Sequence, residues 1–115
     1  MRSNSWSAGG SQFIQVSFEM ETIEFSYVAT WIPRSRAHVG VVGSGDLEVL
    51  LEPRQEKCGT ITVRTNVSGF RSVWIAVLNR FTAKYQGAAD IRVNDAGATP
   101  GRALLRLEQA GEVGR

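Results

Sequence analysis

The sequence predicts an α+β fold, a two-layer sandwich in which a mostly antiparallel sheet is covered by one long amphipathic helix. Short apolar runs with alternating or β-branched residues recur along the chain, as in half-buried strands. One stretch in the second half instead places apolar residues at helical spacing over several turns. Because strands are predicted on both sides of this stretch, a helix packed on one face of a sheet buries both apolar surfaces.

Length and composition limit the chain to one modest domain. Its 115 residues, 43% hydrophobic and 21% charged, are ordinary for a globular protein with a single core. The 13 basic and 11 acidic residues are dispersed and give a net charge of +2, so no nucleic-acid partner is predicted. Cys58 is the only cysteine, which excludes an internal disulfide and favours a reducing, cytoplasmic setting. No apolar run is long enough for a membrane span.

The chain divides into three predicted parts. Residues 1–19 are interpreted as a disordered leader or extension before a second possible start at Met20, residues 20–110 as the folded domain, and residues 111–115 as a frayed tail. Strands outside the central region are predicted at 22–27, 60–65, 89–93 and 102–109. The last is preferred as a strand over a short helix, because Ala103, Leu105 and Leu107 alternate after a turn.

The long helix is predicted over residues 70–85, with Ser68 as its N-cap and Gly87 as its stop. Packing against the sheet explains its apolar stripe better than a ligand site does. The stripe consists of Phe70, Val73, Trp74, Val77, Leu78, Phe81 and Tyr85.

The functional prediction depends on a turn between two central strands, 39–42 and 47–50. Gly43 and Gly45 flank Ser44, remove Cβ bulk and allow positive φ, so a large partner could reach the hydroxyl group. Asp46 could orient that hydroxyl or hold a metal-bound phosphate donor. The alternative is an ordinary hairpin turn in which the serine is only a favourable turn residue.

Catalytic motifs are missing around this turn. A phosphate-binding loop needs Gly-Lys-Ser/Thr before a helix, whereas Asp46 follows Gly45. A nucleophile elbow needs glycine two residues before and after the serine, where Val42 and Asp46 stand. His38 is the only histidine and lacks a partner motif, so a structural or surface role is favoured over catalysis. No metal site is predicted.

Two further segments have open interpretations. Arg34 and Arg36 lie near the Ser44 turn in sequence, either in a solvated loop or as a landing site for a phosphate group. Residues 94–101 form a longer loop than a hairpin needs, and it either buttresses the sheet or shapes a site.

Three separated motifs occur in order along the chain. They are Arg36-Ala37 leading to the run 39–50, Val63-Arg64-Thr65 leading to the helix with Trp74, and Asn94-Asp95 before Gly97-Ala98-Thr99-Pro100-Gly101. Through these motifs residues 20–110 resemble the acyl carrier protein, or delta subunit, of bacterial malonate decarboxylase. The shorter motif Ser44-Gly45-Asp46 is also similar to the modification site of the citrate lyase carrier (gamma) subunit.

The resemblance implies a carrier rather than a catalyst. It implies that Ser44 is esterified through a phosphodiester to 2'-(5''-phosphoribosyl)-3'-dephospho-CoA, with Gly43, Gly45 and Asp46 around the attachment point. The thiol of this arm would carry acetyl, exchange it for malonyl and regenerate acetyl by loss of CO2. The implied partners are the acetyl-S-carrier:malonate transferase subunit, the malonyl-S-carrier decarboxylase subunits and a prosthetic-group transferase.

Two other functions remain open at this point. A small serine hydrolase would be acylated at Ser44 itself, and a non-catalytic interaction module of a multi-subunit complex would tolerate its loss. The chain does not resemble the helical fatty-acid carriers, which have Asp-Ser-Leu at the attachment site, so their fold is not expected here.

Overall fold

The computed structural model describes residues 20–115, so the predicted leader 1–19 lies outside the described residues. The elements, in chain order, are β1 (Glu21–Val28), β2 (Ala37–Gly40), β3 (Asp46–Pro53), β4 (Cys58–Thr65), α1 (Arg71–Lys84), β5 (Ala89–Ala96) and α2 (Pro100–Gly114). The strands form one five-stranded sheet in the order β1-β4-β5-β3-β2.

The sheet is mixed because α1 connects two of its central strands. β4 and β5 pair in parallel, with Ile61 opposite Ile91 and Thr65 opposite Asp95. The other three pairings, β1 with β4, β2 with β3 and β3 with β5, are antiparallel. A parallel pair requires a long crossover connection, which α1 provides.

Both helices pack on one face of this sheet. Alternate residues of each strand point toward them, since successive side chains of a strand project to opposite faces. The fully buried strand residues of this core are Ile23, Leu47, Val49, Leu51, Ile61, Val63, Ala89, Ile91 and Val93. They form one cluster with the buried helix residues Trp74, Val77, Leu78, Phe81, Ala103, Leu107 and Ala110. The opposite face is left without a covering helix among residues 20–115.

The predicted α+β class is confirmed, but the prediction of one long covering helix is wrong. Two helices of similar length, 14 and 15 residues, cover the sheet. The predicted strand 102–109 is part of α2. Ala103, Leu107 and Ala110 face the core at helical spacing, whereas Leu105 is 51% exposed. Thr99 caps the helix by accepting a hydrogen bond from the Arg102 N–H at 3.2 Å, and Pro100 occupies its first turn.

The expected frayed tail is instead the last turn of α2. Gly111 is buried and a side chain there would collide with the ring of Tyr85, so glycine allows α2 to approach this residue closely. The Gly114 carbonyl accepts hydrogen bonds from the N–H groups of Arg34 (3.0 Å) and Ser35 (3.3 Å). These contacts hold the C-terminal end of α2 against the segment before β2.

The predicted helix 70–85 is confirmed as α1, although its ends differ from the prediction. Phe70 rather than Ser68 is the N-cap, and it makes no side-chain capping bond. The helix ends before Tyr85, which is extended and buried, not at Gly87. Tyr85 stacks on Phe81 with 5.0 Å between ring centroids and meets Trp31 edge-on at 5.3 Å.

The helical placement of α2 can be tested with two leucines that a strand would place on one face. Leu107→Ala is expected to lower the free energy of unfolding by about 2–5 kcal/mol, because Leu107 is fully buried. Leu105→Ala, in the exposed position, should cost less than about 1 kcal/mol. Urea denaturation of both variants measures this difference, and equal losses would contradict the helix.

Candidate functional site

Ser44 stands at the tip of a hydrogen-bonded turn between β2 and β3. The Asp46 N–H donates to the Gly43 carbonyl at 2.9 Å, and Gly45 has φ +75°. A positive φ at the third position of a four-residue turn favours glycine there, as in type II and type I′ turns, and Ser44 occupies the second position. The Gly45 N–H also donates to the Ala96 carbonyl at 2.8 Å, so the turn is anchored to the end of β5.

The surroundings of Ser44 are open. Ser44 is exposed, and a Cβ added at Gly45 would have no other atom within 4 Å. Val41 and Val42, which precede the turn, are 64% and 58% exposed. A bulky group attached to the serine hydroxyl would therefore meet no steric barrier from the turn itself.

The prediction that 39–42 is a strand is wrong at Val41 and Val42. β2 ends at Gly40, which has φ +83°, and a Cβ there would collide with the Leu47 carbonyl oxygen. The chain thus leaves the sheet at Gly40, and both valines become part of the loop. The second predicted strand, 47–50, lies within β3.

The side chain of Asp46 is held by an arginine of α2. Its two carboxylate oxygens accept hydrogen bonds from Arg106, at 3.3 Å from Nε and 3.0 Å from Nη2. The Leu47 N–H also donates to Asp46 at 2.8 Å. The Arg106 hydrogen bond is the main cause that lowers the pKa of Asp46 below its ordinary value, and the Leu47 bond adds to it. Asp46 is therefore a structural anion that fixes the start of β3.

Arg102 and Arg106 are the residues of this region that sequence reasoning missed. They are four residues apart and lie on the same side of α2, where both approach Asp46. Arg102 Nη1 is 3.8 Å from Asp46 Oδ2, and the Arg102 side chain is 51% exposed. A helical interpretation of residues 100–114 would have placed both arginines beside the turn.

The loop 94–101, whose role the sequence left open, lies beside the turn. A Cβ on Gly97 would come within 3.9 Å of the Gly45 nitrogen. Buried Asp95 fixes the loop by accepting hydrogen bonds from Thr65 Oγ1 (2.7 Å) and from the Ala98 N–H (2.9 Å). The loop leads directly into α2, so the N-terminal end of this helix is close to the Ser44 turn. Helix N-termini favour negative charge.

Arg34 and Arg36 are not near Ser44. Arg34 lies at the C-terminal end of α2, which is 15 residues or roughly 22 Å long, whereas the turn is near its N-terminal end. Arg36 Nε is 3.1 Å from Glu52 Oε2. Arg36 precedes the first residue of β2, whereas the turn follows the last residue of that strand. Of the two interpretations left open for these arginines, a landing site for phosphate would therefore be separated from Ser44.

His38 and Cys58 also lie away from the turn. His38 Nε2 is 2.9 Å from Glu48 Oε2 on the uncovered face of the sheet. Cys58 begins β4, whose other end, at Thr65, is the one near the turn. Residues 20–115 contain no group of three His, Cys, Asp or Glu side chains that could hold a metal ion. None of the helices in this range is long and apolar enough to cross a membrane.

An apolar cavity of about 240 Å³ opens between the two helices at the same end of the sheet. Phe70 and Val73 line it and are 48% and 36% exposed, although the helical stripe predicted both as core residues. Gly97 and Ala98 of the loop 94–101 form another part of its wall. The first turn of α1 thus borders this cavity, and the core begins at Trp74.

The turn geometry predicts different effects of alanine at its two glycines. Gly45→Ala should cost about 1–2 kcal/mol of unfolding free energy, because an L-residue is strained at the left-handed φ of this position. Gly43→Ala, at a half-buried position outside that region of φ where an added Cβ would meet only Val41 Cγ2 at 4.0 Å, should cost less than about 0.5 kcal/mol. Thermal and urea denaturation provide the comparison, and a larger loss for Gly43→Ala would contradict the positive φ of Gly45 as the constraint on this turn.

The Asp46–Arg106 contact predicts a pH dependence with a defined sign. The folded-state pKa of Asp46 lies below its ordinary value of 3.8, so its stabilisation is complete above that value and is lost as the pH falls through the folded pKa. The difference in unfolding free energy between the parent chain and Asp46→Asn should accordingly shrink in acid.

A carboxyl NMR titration tests whether the Arg106 hydrogen bond lowers the pKa of Asp46. Arg106→Gln should raise its pKa toward the ordinary value, and Arg102→Gln should raise it less, because the Arg106 hydrogen bond is the largest cause of the shift. An unchanged Asp46 pKa in Arg106→Gln would contradict this assignment.

Comparisons with known proteins agree on one family. The family model described as malonate decarboxylase delta subunit (MdcD), an acyl carrier family, matches residues 34–113. The malonate decarboxylase acyl carrier protein of Pseudomonas fluorescens (strain SBW25) is 48% identical over 94 residues, which are 81% of this chain and 95% of the relative. That of Pseudomonas aeruginosa (strain UCBPP-PA14) is 50% identical over 92 residues, which are 79% and 93% of the two chains.

A solved structure extends this similarity to the fold. One chain in the crystal structure of a Pseudomonas malonate decarboxylase hetero-tetramer in complex with malonate superimposes with a TM-score of 0.76 and 48% identity. The match covers 82% of the present chain and 98% of that chain. The chain therefore belongs to the malonate decarboxylase delta subunit family of acyl carrier proteins.

Proposed function

We propose that this chain is the non-catalytic acyl carrier subunit of a malonate decarboxylase and that Ser44 is its attachment point. The observation that carries the proposal is the placement of the Ser44 hydroxyl at the exposed tip of an anchored turn, with open space at Gly45. Relatives of about 50% identity over most of the chain bear the name malonate decarboxylase acyl carrier protein. A carrier needs one accessible hydroxyl rather than a catalytic constellation.

The residues around the turn fit a phosphodiester on Ser44. The N-terminal end of α2 is close to the turn and favours an anion there. Arg106 is hydrogen-bonded to Asp46, whereas Arg102 lies farther from this carboxylate, at 3.8 Å, and is half exposed. The Arg102 guanidinium can therefore turn toward a phosphate oxygen. Asp46, with its charge matched by these two arginines, would not repel the phosphate as a free carboxylate would.

The proposed group is 2'-(5''-phosphoribosyl)-3'-dephospho-CoA, joined to Ser44 Oγ. When bound, it supplies a terminal thiol on which acetyl and malonyl are held as thioesters while malonate is converted to acetate and CO2. The chain's own contribution is to fix the attachment point and to leave the space around it free. Cys58 lies toward the other end of β4 and does not share this role.

Asp46 positions the turn rather than the serine hydroxyl in this proposal. Its carboxylate oxygens are occupied by Arg106 and the Leu47 N–H, so the base that removes the Ser44 proton during attachment would come from the prosthetic-group transferase. A serine hydrolase is disfavoured for the same reason, because Asp46 is not free to act as a base for Ser44. Among the described residues, His38 is bound to Glu48 on the sheet face and does not serve as a base for Ser44.

Three kinds of partner must reach the same turn: the prosthetic-group transferase, the acetyl-S-carrier:malonate transferase subunit and the malonyl-S-carrier decarboxylase subunits. Val41 and Val42 are exposed apolar side chains next to the serine and are suited to a shared contact surface. The solved relative belongs to a hetero-tetramer, which supports assembly with other subunits. We further propose that this chain is located in the cytoplasm.

Intact-protein mass and peptide mapping test the attachment. The chain produced with its attachment enzymes should gain the mass of the arm on the Ser44 peptide. Ser44→Ala should fold with unchanged stability and remain unmodified, because its side chain is exposed. Ser68→Ala, another exposed serine, is the matched control and should be modified normally.

The outcome also distinguishes an acyl carrier from a non-catalytic interaction module. An unmodified Ser44 in an active native complex would overturn the carrier proposal and leave a non-catalytic interaction module. Modification of Ser44→Ala to the same extent as the parent chain would move the attachment to another residue.

A further inference from the structure

Two neighbouring arginines on the uncovered face of the sheet lack an acidic partner. Arg64 of β4 is in register with Asn94 of β5, and Arg92 of β5 is in register with Thr62 of β4. Their side chains are therefore diagonal neighbours on one face. Within residues 20–115, neither guanidinium has a carboxylate oxygen within 4.0 Å, whereas Arg36, Arg54, Arg102, Arg106 and Arg115 each do.

The two arginines share a cavity of about 310 Å³ with Leu50, Thr62 and Asn94. The Thr62 hydroxyl thus stands beside two guanidinium groups, the Asn94 amide donates to Glu48 at 3.0 Å, and Leu50 supplies an apolar wall. Planar guanidinium groups bind phosphate oxygens in a bidentate manner, which gives geometric as well as electrostatic selectivity. The cavity has the donors of a phosphate site.

The acidic residues nearest to this cavity on β3 and β5 already accept hydrogen bonds from groups other than the two arginines. Glu48 accepts hydrogen bonds from His38 at 2.9 Å and from Asn94 at 3.0 Å. Asp90 accepts them from Arg54 at 3.2 Å and Thr60 at 2.6 Å. On the other side of β4, Glu24 of β1 is in register with Thr62, and its carboxylate is exposed. Two like charges at diagonal positions of adjacent strands repel each other, and an anion in the cavity would offset this repulsion.

We propose that Arg64 and Arg92 bind phosphate groups of the nucleotide portion of the arm carried on Ser44. This inference rests on the proposed function. Asn94 is two residues, or roughly 7 Å, from Ala96, whose carbonyl holds the Gly45 N–H beside Ser44. In the proposed arm two ribose units separate the phosphodiester on the serine from the pyrophosphate, so the pyrophosphate can follow the sheet surface to the cavity.

Binding the pyrophosphate would divide the arm into a held part and a free part. The nucleotide portion would lie on the uncovered face, and the pantetheine portion with its thiol would move between partners. Because the arm is covalently attached, even a weak site is occupied at the high effective concentration of an intramolecular ligand. A site with two guanidinium groups is suited to this role.

The proposal is tested by NMR on the full chain with and without the arm. Backbone amides of Thr62, Arg64, Arg92 and Asn94 should shift when the arm is present. In the unmodified chain, titration with inorganic pyrophosphate and with 3'-dephospho-CoA should shift the same amides, which shows whether free nucleotide also binds. Arg64→Gln/Arg92→Gln should weaken the binding of 3'-dephospho-CoA about tenfold or more.

A charge-matched double variant is the control. Arg80→Gln/Lys84→Gln removes the same charge from exposed positions on α1 and should leave the binding unchanged. In the modified chain, Arg64→Gln/Arg92→Gln should also narrow the phosphorus NMR resonances of the pyrophosphate, because that group would become mobile. Mass spectrometry confirms beforehand that Ser44 is modified, so failure of the attachment and failure of this site are read separately.

Two results would overturn the proposal. In one, a chain confirmed to carry the arm shows no shift of these amides and the same phosphorus linewidths in both double variants. In the other, Arg64→Gln/Arg92→Gln leaves nucleotide binding unchanged but reduces binding to the other subunits, which would assign the arginines to an acidic protein surface.

Discussion

The contact between Asp46 and Arg106 is the interaction on which the arrangement around Ser44 depends. It joins the first residue of β3 to the second turn of α2, two elements far apart in sequence, through two hydrogen bonds to one carboxylate. Because the carboxylate also accepts from the Leu47 N–H, the backbone that follows the turn is fixed in direction. The Gly45 bond to Ala96 fixes the preceding peptide. The serine is thus presented from a rigid frame although it is itself exposed.

This frame also controls the local charge. A free carboxylate two residues from Ser44 would oppose a phosphodiester there, whereas one matched by Arg106 and approached by Arg102 does not. The side chains of Asp46 and Arg106 are only 17% and 24% exposed, so solvent screens their attraction less than that of a surface pair. The aspartate after Gly-Ser-Gly therefore acts through its arginine partner on α2.

The sequence predicted the turn better than it predicted the neighbours of the turn. Alternation and β-branched residues identified β1, β4 and β5, and the apolar stripe identified α1, because each signal is contained within one segment. α2 was missed because Ala103 and Leu107 fit both an alternating strand and a helical face. Thr99 and Pro100, which favour a helix start, decide between the two. With α2 read as a strand, Arg102 and Arg106 had no predicted position near Ser44.

The parallel pairing of β4 and β5 could not be predicted from the sequence of either strand alone, because it depends on how α1 connects the two strands. It has two consequences for the surface of the molecule. It brings Thr65 to Asp95, whose hydrogen bonds hold the loop 94–101 beside the turn. It also sets Arg64 and Arg92 side by side on the face that the helices leave uncovered. One crossover thus positions the Ser44 turn at the end of the sheet and an uncompensated positive surface next to it, so the turn and the uncovered face belong to a single structural unit.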